Sequence, residues 1–221
     1  MKKTLALVLI FTLFGFGSVF AQAGSNSFFV GWGMNKAMGP EVFKDFWDVC
    51  FNNITIGGGK KMNDNLEVFG MFEYQTFNFD KSKGFSTLEL GPVDRRSEVK
   101  IISLTGNLKY NMNVSAFETL SSYIYCGGGI MRLLPTSVNF RDNLDLNSVP
   151  AGRTDVLAFV DNDAWIATGS KELVGTGQVG FGLEMEQGDG TIFLDARYVI
   201  GFTKKMTAFF PVRIGYIFNI Q

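Results

Sequence analysis

The stretch Thr191-Ile-Phe-Leu-Asp-Ala-Arg-Tyr-Val-Ile-Gly201 decides the fold class. Ile192, Leu194, Ala196, Tyr198 and Ile200 fall on one face, and Asp195 and Arg197 on the other. A period of two is the signature of a strand, because successive side chains of an extended chain point to opposite faces. Here the two faces carry an unusual burden. One is apolar and aromatic along its whole length, while the other holds charges in mid-strand. A soluble barrel needs apolar inside and polar outside. This stretch fits the reverse, with charges paired inside a closed wall and the apolar face turned to lipid.

The same pattern recurs on both sides of it. Over about 208–220, Phe210, Val212, Ile214, Tyr216 and Phe218 oppose Arg213 and Gly215. Over about 175–186, Val179, Phe181, Leu183 and Met185 oppose Gln178, Glu184 and Glu186. Further upstream come segments at about 99–110, with Ile102, Leu104, Leu108 and Tyr110 apolar, and 65–79, with Leu66, Val68, Phe72 and Tyr74. Segments at about 51–60, with Ile54 and Ile56, and 27–35, with Phe28, Val30, Trp32 and Met34, complete the upstream set. A glycine-rich segment at about 122–133 has no clear phase. Several of these segments reach the ten or so residues that a tilted strand needs to cross a bilayer, where ordinary strands average about five or six. Tight turns at 61–64 and 187–190 alternate with longer connections, as short inner turns alternate with long outer loops in membrane barrels. The connection 111–121 is long for a turn, and 203–207 is short for an outer loop. These features predict an all-β fold, a closed antiparallel up-and-down transmembrane β-barrel of about eight strands. The count becomes ten if 134–174 hides a hairpin near Val138–Phe140 and Val156–Val160. An even count puts both chain ends on one side.

The segments 191–201 and 210–218, with Gly-Gly-Gly at 57–59 and 127–129, resemble the small bacterial outer-membrane β-barrel proteins grouped as the outer-membrane protein β-barrel domain family. The resemblance spans nearly the whole chain after the first residues. It implies location in the bacterial outer membrane, contact with outer-membrane lipid, and insertion by the barrel-assembly machinery. Family members often end on an aromatic residue, whereas this chain ends Phe218-Asn219-Ile220-Gln221. The resemblance is specific for architecture and says little about role.

The start of the chain fits that compartment. Lys2 and Lys3 precede an apolar run from Leu5 to Phe16, and Ala21-Gln22-Ala23 closes it. That order is a secretory signal peptide with cleavage after Ala23. The run is short for a helix that crosses a bilayer, which needs about 20 residues. The expected organisation is therefore a signal peptide over 1–23 and a barrel over 24–221. The remaining 198 residues carry 18 basic and 21 acidic side chains, net −3, which excludes a basic nucleic-acid binder. Two cysteines, Cys50 and Cys126, fall on strands that are not neighbours, so two separate buried thiols are expected rather than a disulfide.

The chain contains no histidine. Nucleophilic and acid–base mechanisms that depend on imidazole near neutral pH are excluded, and a non-enzymatic protein is expected. Glu67, Glu73, Glu184, Glu186 and Asp195 are inward carboxylates, with Lys109, Arg197 and Arg213 as inward cations. Buried charges must be paired, so an interior polar network that fills the lumen is expected rather than an acid–base cluster, with Glu67, Glu73, Lys109, Glu184, Asp195, Arg197 and Arg213 as its members. The glycine triplets lack the Gly-Lys-Ser/Thr ending of a phosphate loop and are expected to make room for large facing side chains. Pro40-Glu-Val-Phe-Lys-Asp-Phe-Trp47 reads as a short helix whose Val42, Phe43, Phe46 and Trp47 form a lid on the barrel rim, an aromatic group at the membrane interface, or the mouth of a site for a hydrophobic ligand. The acidic residues of 134–174 lack calcium-loop spacing, and no metal or cofactor is implied. That loop is also apolar at Leu157, Phe159, Trp165 and Ile166, which suits contact with an extracellular partner. Lys81, Lys83, Arg95 and Arg96 read as an ordinary charged loop in preference to a contact with lipopolysaccharide phosphates. Three function classes stay open: a structural or loop-mediated interaction protein, a narrow transporter or binder of small hydrophobic molecules, and a soluble periplasmic ligand-binding barrel. The last requires Phe72, Leu194 and Ile214 inside.

Overall fold

The computed structural model describes residues 26–40, 43–44, 47, 49–78, 98–112, 120–135, 172–203 and 206–220. These residues form eight strands: β1 (Asn26–Gly39), β2 (Cys50–Lys61), β3 (Leu66–Asn78), β4 (Glu98–Met112), β5 (Leu120–Pro135), β6 (Glu172–Gln187), β7 (Gly190–Gly201) and β8 (Thr207–Ile220). Each pairs antiparallel with the next, and β8 pairs with β1 to close the barrel. The signal segment 1–23, Phe46, the loop 136–171 with its candidate hairpin, and Lys81, Lys83, Arg95 and Arg96 lie outside the described residues. Among the described residues no helix is long and apolar enough to cross a membrane. Crossing by strands demands closure, because an open edge in hydrocarbon would leave backbone N–H and C=O groups unpaired.

Facing follows the sequence period. Phe72, Leu194 and Ile214 are 42%, 49% and 52% exposed, whereas Asp195, Arg197 and Arg213 are 3%, 1% and 3% exposed. The soluble-barrel expectation needed the first three inside and is corrected by this facing. A belt of exposed Phe28, Trp32, Ile54, Ile56, Leu104, Val179 and Phe181 continues around the wall, far more apolar surface than a water-soluble protein leaves uncovered.

β5 supplies the phase that its sequence hid. Tyr123, Tyr125, Met131 and Leu133 point in, while Ile124 and Ile130 point out. Three consecutive glycines at 127–129 carry no side chain to mark either face. Cys126 consequently sits exposed on the outer surface, which corrects the expectation of two buried thiols; Cys50 is buried, and both are free. Inward glycines sit opposite large side chains. A Cβ on Gly180 would fall 2.5 Å from Tyr125 Cζ, one on Gly31 would fall 3.0 Å from Phe193 Cζ, and one on Gly57 would overlap the Phe29 ring. Without these glycines the aromatic rings could not lie across so narrow a lumen.

The barrel has a turn end, at 62–65 and 188–189, and a loop end. On β4 the outward face is apolar from Ile102 to Tyr110, about nine residues, close to what a tilted strand needs to cross a bilayer. Above it the facing continues but the two faces exchange character. Val99, Ile101, Met131 and Leu133 are buried inside, while Lys100 and Arg132 point outward. β4 and β5, at 15 and 16 residues, therefore project beyond the apolar belt on the loop side.

Leu194→Arg places a cation on the lipid face and should destabilise the barrel by about 2–4 kcal/mol, read as a lower guanidinium midpoint in lipid vesicles. An unchanged midpoint would remove Leu194 from the lipid face.

Candidate functional site

The lumen holds the chemistry, in three tiers. At the loop end the tier is apolar: Phe43, Phe77, Val99, Ile101, Leu133 and Phe209 are almost completely buried. Phe43 lies 4.8 Å from Phe77 between ring centroids and 6.5 Å from Trp47, and Phe77 lies 5.8 Å from Phe209. Phe43 and Trp47 thus sit as a plug over the barrel mouth, and Phe46 lies outside the described residues. Trp47 is 3% exposed. No sequence signal marked the inward Phe77 and Phe209: Phe77 continues the face of Glu73 and Gln75, so the inward face changes from polar to apolar there, and Phe209 is followed by the equally apolar Phe210.

The middle tier is polar. β3 delivers Glu73, β7 delivers Asp195 and Arg197, and β8 delivers Arg213, all pointing inward by strand period. Arg197 Nη2 donates to Glu73 Oε1 across the lumen. Arg213 grips Asp195 with two bonds, Nε to Oδ1 at 2.7 Å and Nη2 to Oδ2 at 2.6 Å. Its Nη1 stands 4.0 Å from Glu73 Oε1, which joins the two pairs into one neutral quartet. Thr55 and Ser103 donate to the two Glu73 oxygens at 3.1 and 3.3 Å. The Tyr123 and Tyr125 hydroxyls each reach Asp195 Oδ2 at 3.4 Å. Asn53 donates to Asn35 at 2.9 Å, and Gln178 donates to Thr105 at 3.1 Å, extending the layer around the wall.

Toward the turn end, Lys109 Nζ bridges Glu67 at 3.0 Å and Glu184 at 2.5 Å, and lies 4.6 Å from the Tyr123 ring centroid. Tyr123 thereby touches both charge groups. The seven charged lumen residues of the sequence reading fall into these two sets: Glu73, Asp195, Arg197 and Arg213 in one, Glu67, Lys109 and Glu184 in the other. Glu186, expected inward with Glu184, instead stands one residue from the end of β6 and is exposed at the rim. Between the two sets lies an aromatic cluster of Phe29, Phe69, Phe193, Tyr123 and Tyr125, with Phe29 set edge-on to Phe69 and Phe193. Four of these rings, with Glu67, Lys109, Glu184 and Asp195, line a cavity of about 30 Å³. That holds one or two waters, far less than the several hundred Å³ of a small-molecule site. Among the described residues no three His, Cys, Asp or Glu side chains gather to hold a metal ion.

Removing one partner of a buried ion pair leaves an uncompensated charge and costs about 3–5 kcal/mol, whereas replacing both partners by apolar side chains costs much less. Glu73→Gln should therefore destabilise the barrel by about that amount, and Glu73→Met with Arg197→Met should recover most of it. Unfolding midpoints in detergent, compared as a double-mutant cycle, check this; equal losses for single and double variants would deny the pair.

No protein-family model matches the chain, and no curated protein matches it in sequence. Solved structures do. Neisserial surface protein A is similar at 12% identity and a TM-score of 0.56, over 90% of this chain and 100% of the other. Ail, the attachment invasion locus protein of Yersinia pestis, solved with the heparin analogue sucrose octasulfate, aligns at 14% identity and a TM-score of 0.44, over 89% and 100%. The N-terminal β-barrel domain of Pseudomonas aeruginosa OprF aligns at 12% identity and 0.43, over the same shares. At such identities the likeness speaks to fold alone, and in that respect the chain is an eight-stranded barrel of the kind found in small bacterial outer-membrane proteins.

Proposed function

We propose that the protein is a non-conducting outer-membrane barrel whose role is to hold its loop-end segments at the cell surface for contact with partners. The observation that carries this is the lumen: the cross-lumen ion pair of Glu73 with Arg197 and the adjoining pair of Asp195 with Arg213 close its middle, and Phe43, Phe77 and Phe209 close its loop end. Eight strands enclose only enough space for side chains, and here those side chains occupy it. The apolar outward belt supports residence in a bilayer, with lipid as the immediate partner. The segment 1–23 acts as a cleaved signal, so the mature chain begins at Gly24. The connections at 40–49, 79–97 and 136–171 leave from one end, so a partner would meet them together. No described feature of the lumen favours passage of hydrophobic molecules. The absence of histidine argues against imidazole chemistry at the surface as well.

Planar-bilayer recording tests the closed lumen. The purified barrel should give no steady single-channel conductance, and Phe43→Ala with Phe77→Ala should leave it closed at the polar quartet. Steady conductance from the unmodified protein would favour a transport role instead.

A further inference from the structure

We propose that the wall at β7 and β8 holds one bound water, which joins Arg197 Nε, the Arg197 carbonyl and Gln178 Oε1. Such a site completes the closed lumen and is independent of any surface role. Pro211 creates it. This residue lies within β8 and has no N–H to give a ladder. Neighbouring glycines show which way the backbone groups of β8 turn. Cβ atoms added at Gly33 and Gly31 on β1 would meet the Val212 and Ile214 carbonyls, so even-numbered residues of β8 turn their backbone groups to β1. Odd-numbered ones, Pro211 among them, therefore turn to β7. A Cβ on Gly182 of β6 would meet the Leu194 carbonyl, so Leu194 turns to β6, and Asp195 and Arg197 turn to β8. Arg197 and Pro211 thus face each other at a place where two bonds are exchanged, and proline can take part in only one. The recorded pairs of β7 with β8 stop at Ala196 with Val212 and resume at Val199 with Phe209. The Arg197 carbonyl is left without its ladder donor. The lipid side, where Tyr198 and Phe210 stand, supplies none.

Two side-chain atoms beside this carbonyl are also unmatched. Arg197 is fully buried; its Nη2 reaches Glu73 and its Nη1 reaches Met71, but its Nε has no acceptor. Gln178 points inward on β6, where it pairs with Val199 while Gly180 pairs with Arg197. Gln178 and Arg197 are therefore diagonal neighbours, about 7–8 Å apart at the backbone, a span that two side chains and one water can bridge. Gln178 Nε2 donates to Thr105 and Asn107 on β4. Its Oε1, the opposite arm of the amide, faces away from β4, and β7 is the neighbouring strand on that side. That oxygen is buried and has no donor. One N–H and two carbonyl oxygens therefore stand together where each needs a partner. The set selects its ligand. An anion needs donors alone and a cation needs oxygens alone, whereas water can accept one bond and donate two. A buried water typically makes about three such bonds. It holds the Arg197 guanidinium from the wall, while Glu73 holds it from across the lumen.

Nuclear magnetic resonance of the full barrel in lipid nanodiscs tests the site. Arg197 is the only arginine followed by tyrosine, so isotope-labelled arginine with nitrogen-labelled tyrosine singles out its carbonyl and, through bonds, its Nε–H. The Nε–H should show a cross-peak to a long-lived water. That cross-peak should persist in Tyr125→Phe, which removes an exchanging hydroxyl close to Arg197. Pro211→Ala supplies the missing N–H and should abolish the cross-peak, and Gln178→Leu removes one acceptor and should weaken it. Gln75→Leu, which removes a buried amide on β3, should leave it unchanged. Gel mobility of the folded form reports that each variant has folded. The proposal is overturned if the unmodified protein shows no such cross-peak, if Tyr125→Phe abolishes it, if folded Pro211→Ala or Gln178→Leu keeps it in full, or if Gln75→Leu loses it as well.

Discussion

In hydrocarbon no water is present to satisfy the backbone, and every other feature of this molecule follows from that constraint. Each N–H and C=O must find a partner within the chain. Strands achieve this only if the last pairs with the first, and β8 does pair with β1 along nearly its whole length. Closure then fixes two surfaces of opposite character. The outer one meets lipid and must be apolar. The inner one is sealed from both solvents and must satisfy itself.

The inner surface does so by tiers. Charges occupy the middle and the turn end, with aromatic rings between the two sets, and aromatic and aliphatic residues close the loop end. An ion pair in such a place costs much of its Coulomb attraction in lost hydration. Its value lies in what it forbids: a lone carboxylate or guanidinium is far worse, so the quartet of Glu73, Arg197, Asp195 and Arg213 locks four strand positions into one register. Tyr123 links this quartet to the Lys109 group, so the two sets hold one arrangement. Inward glycines are the complement of the large side chains, since a ring as wide as Phe193 or Tyr125 needs bare backbone opposite it.

The sequence made the wall legible where polar and apolar residues alternated cleanly. The stretch 191–201 identified both faces of β7, and the charges it placed inward are those that meet in the lumen. The reading failed where the signal was physically absent. Gly127 to Gly129 present no side chains, so the phase of β5 and the outward position of Cys126 were not readable. Phe29, Phe69, Phe77, Phe193 and Phe209 are apolar yet inward, and a two-letter pattern of polar and apolar cannot tell them from lipid-facing residues. For the same reason the apolar tier at the loop end, where the inward face turns apolar, emerged only once register joined the strands.

The central claim is that neighbouring residues of one strand face lipid and lumen in turn, with the apolar side outward. Its most direct measurement is spin labelling at Leu104→Cys and, separately, Thr105→Cys on β4, after replacing Cys50 and Cys126 by serine. In lipid vesicles the label at 104 should be relaxed strongly by dissolved oxygen, which concentrates in hydrocarbon, and the label at 105 should be reached poorly by oxygen and by a water-soluble nickel complex alike. Strong oxygen access at 105 with protection at 104 would invert the barrel and contradict the account.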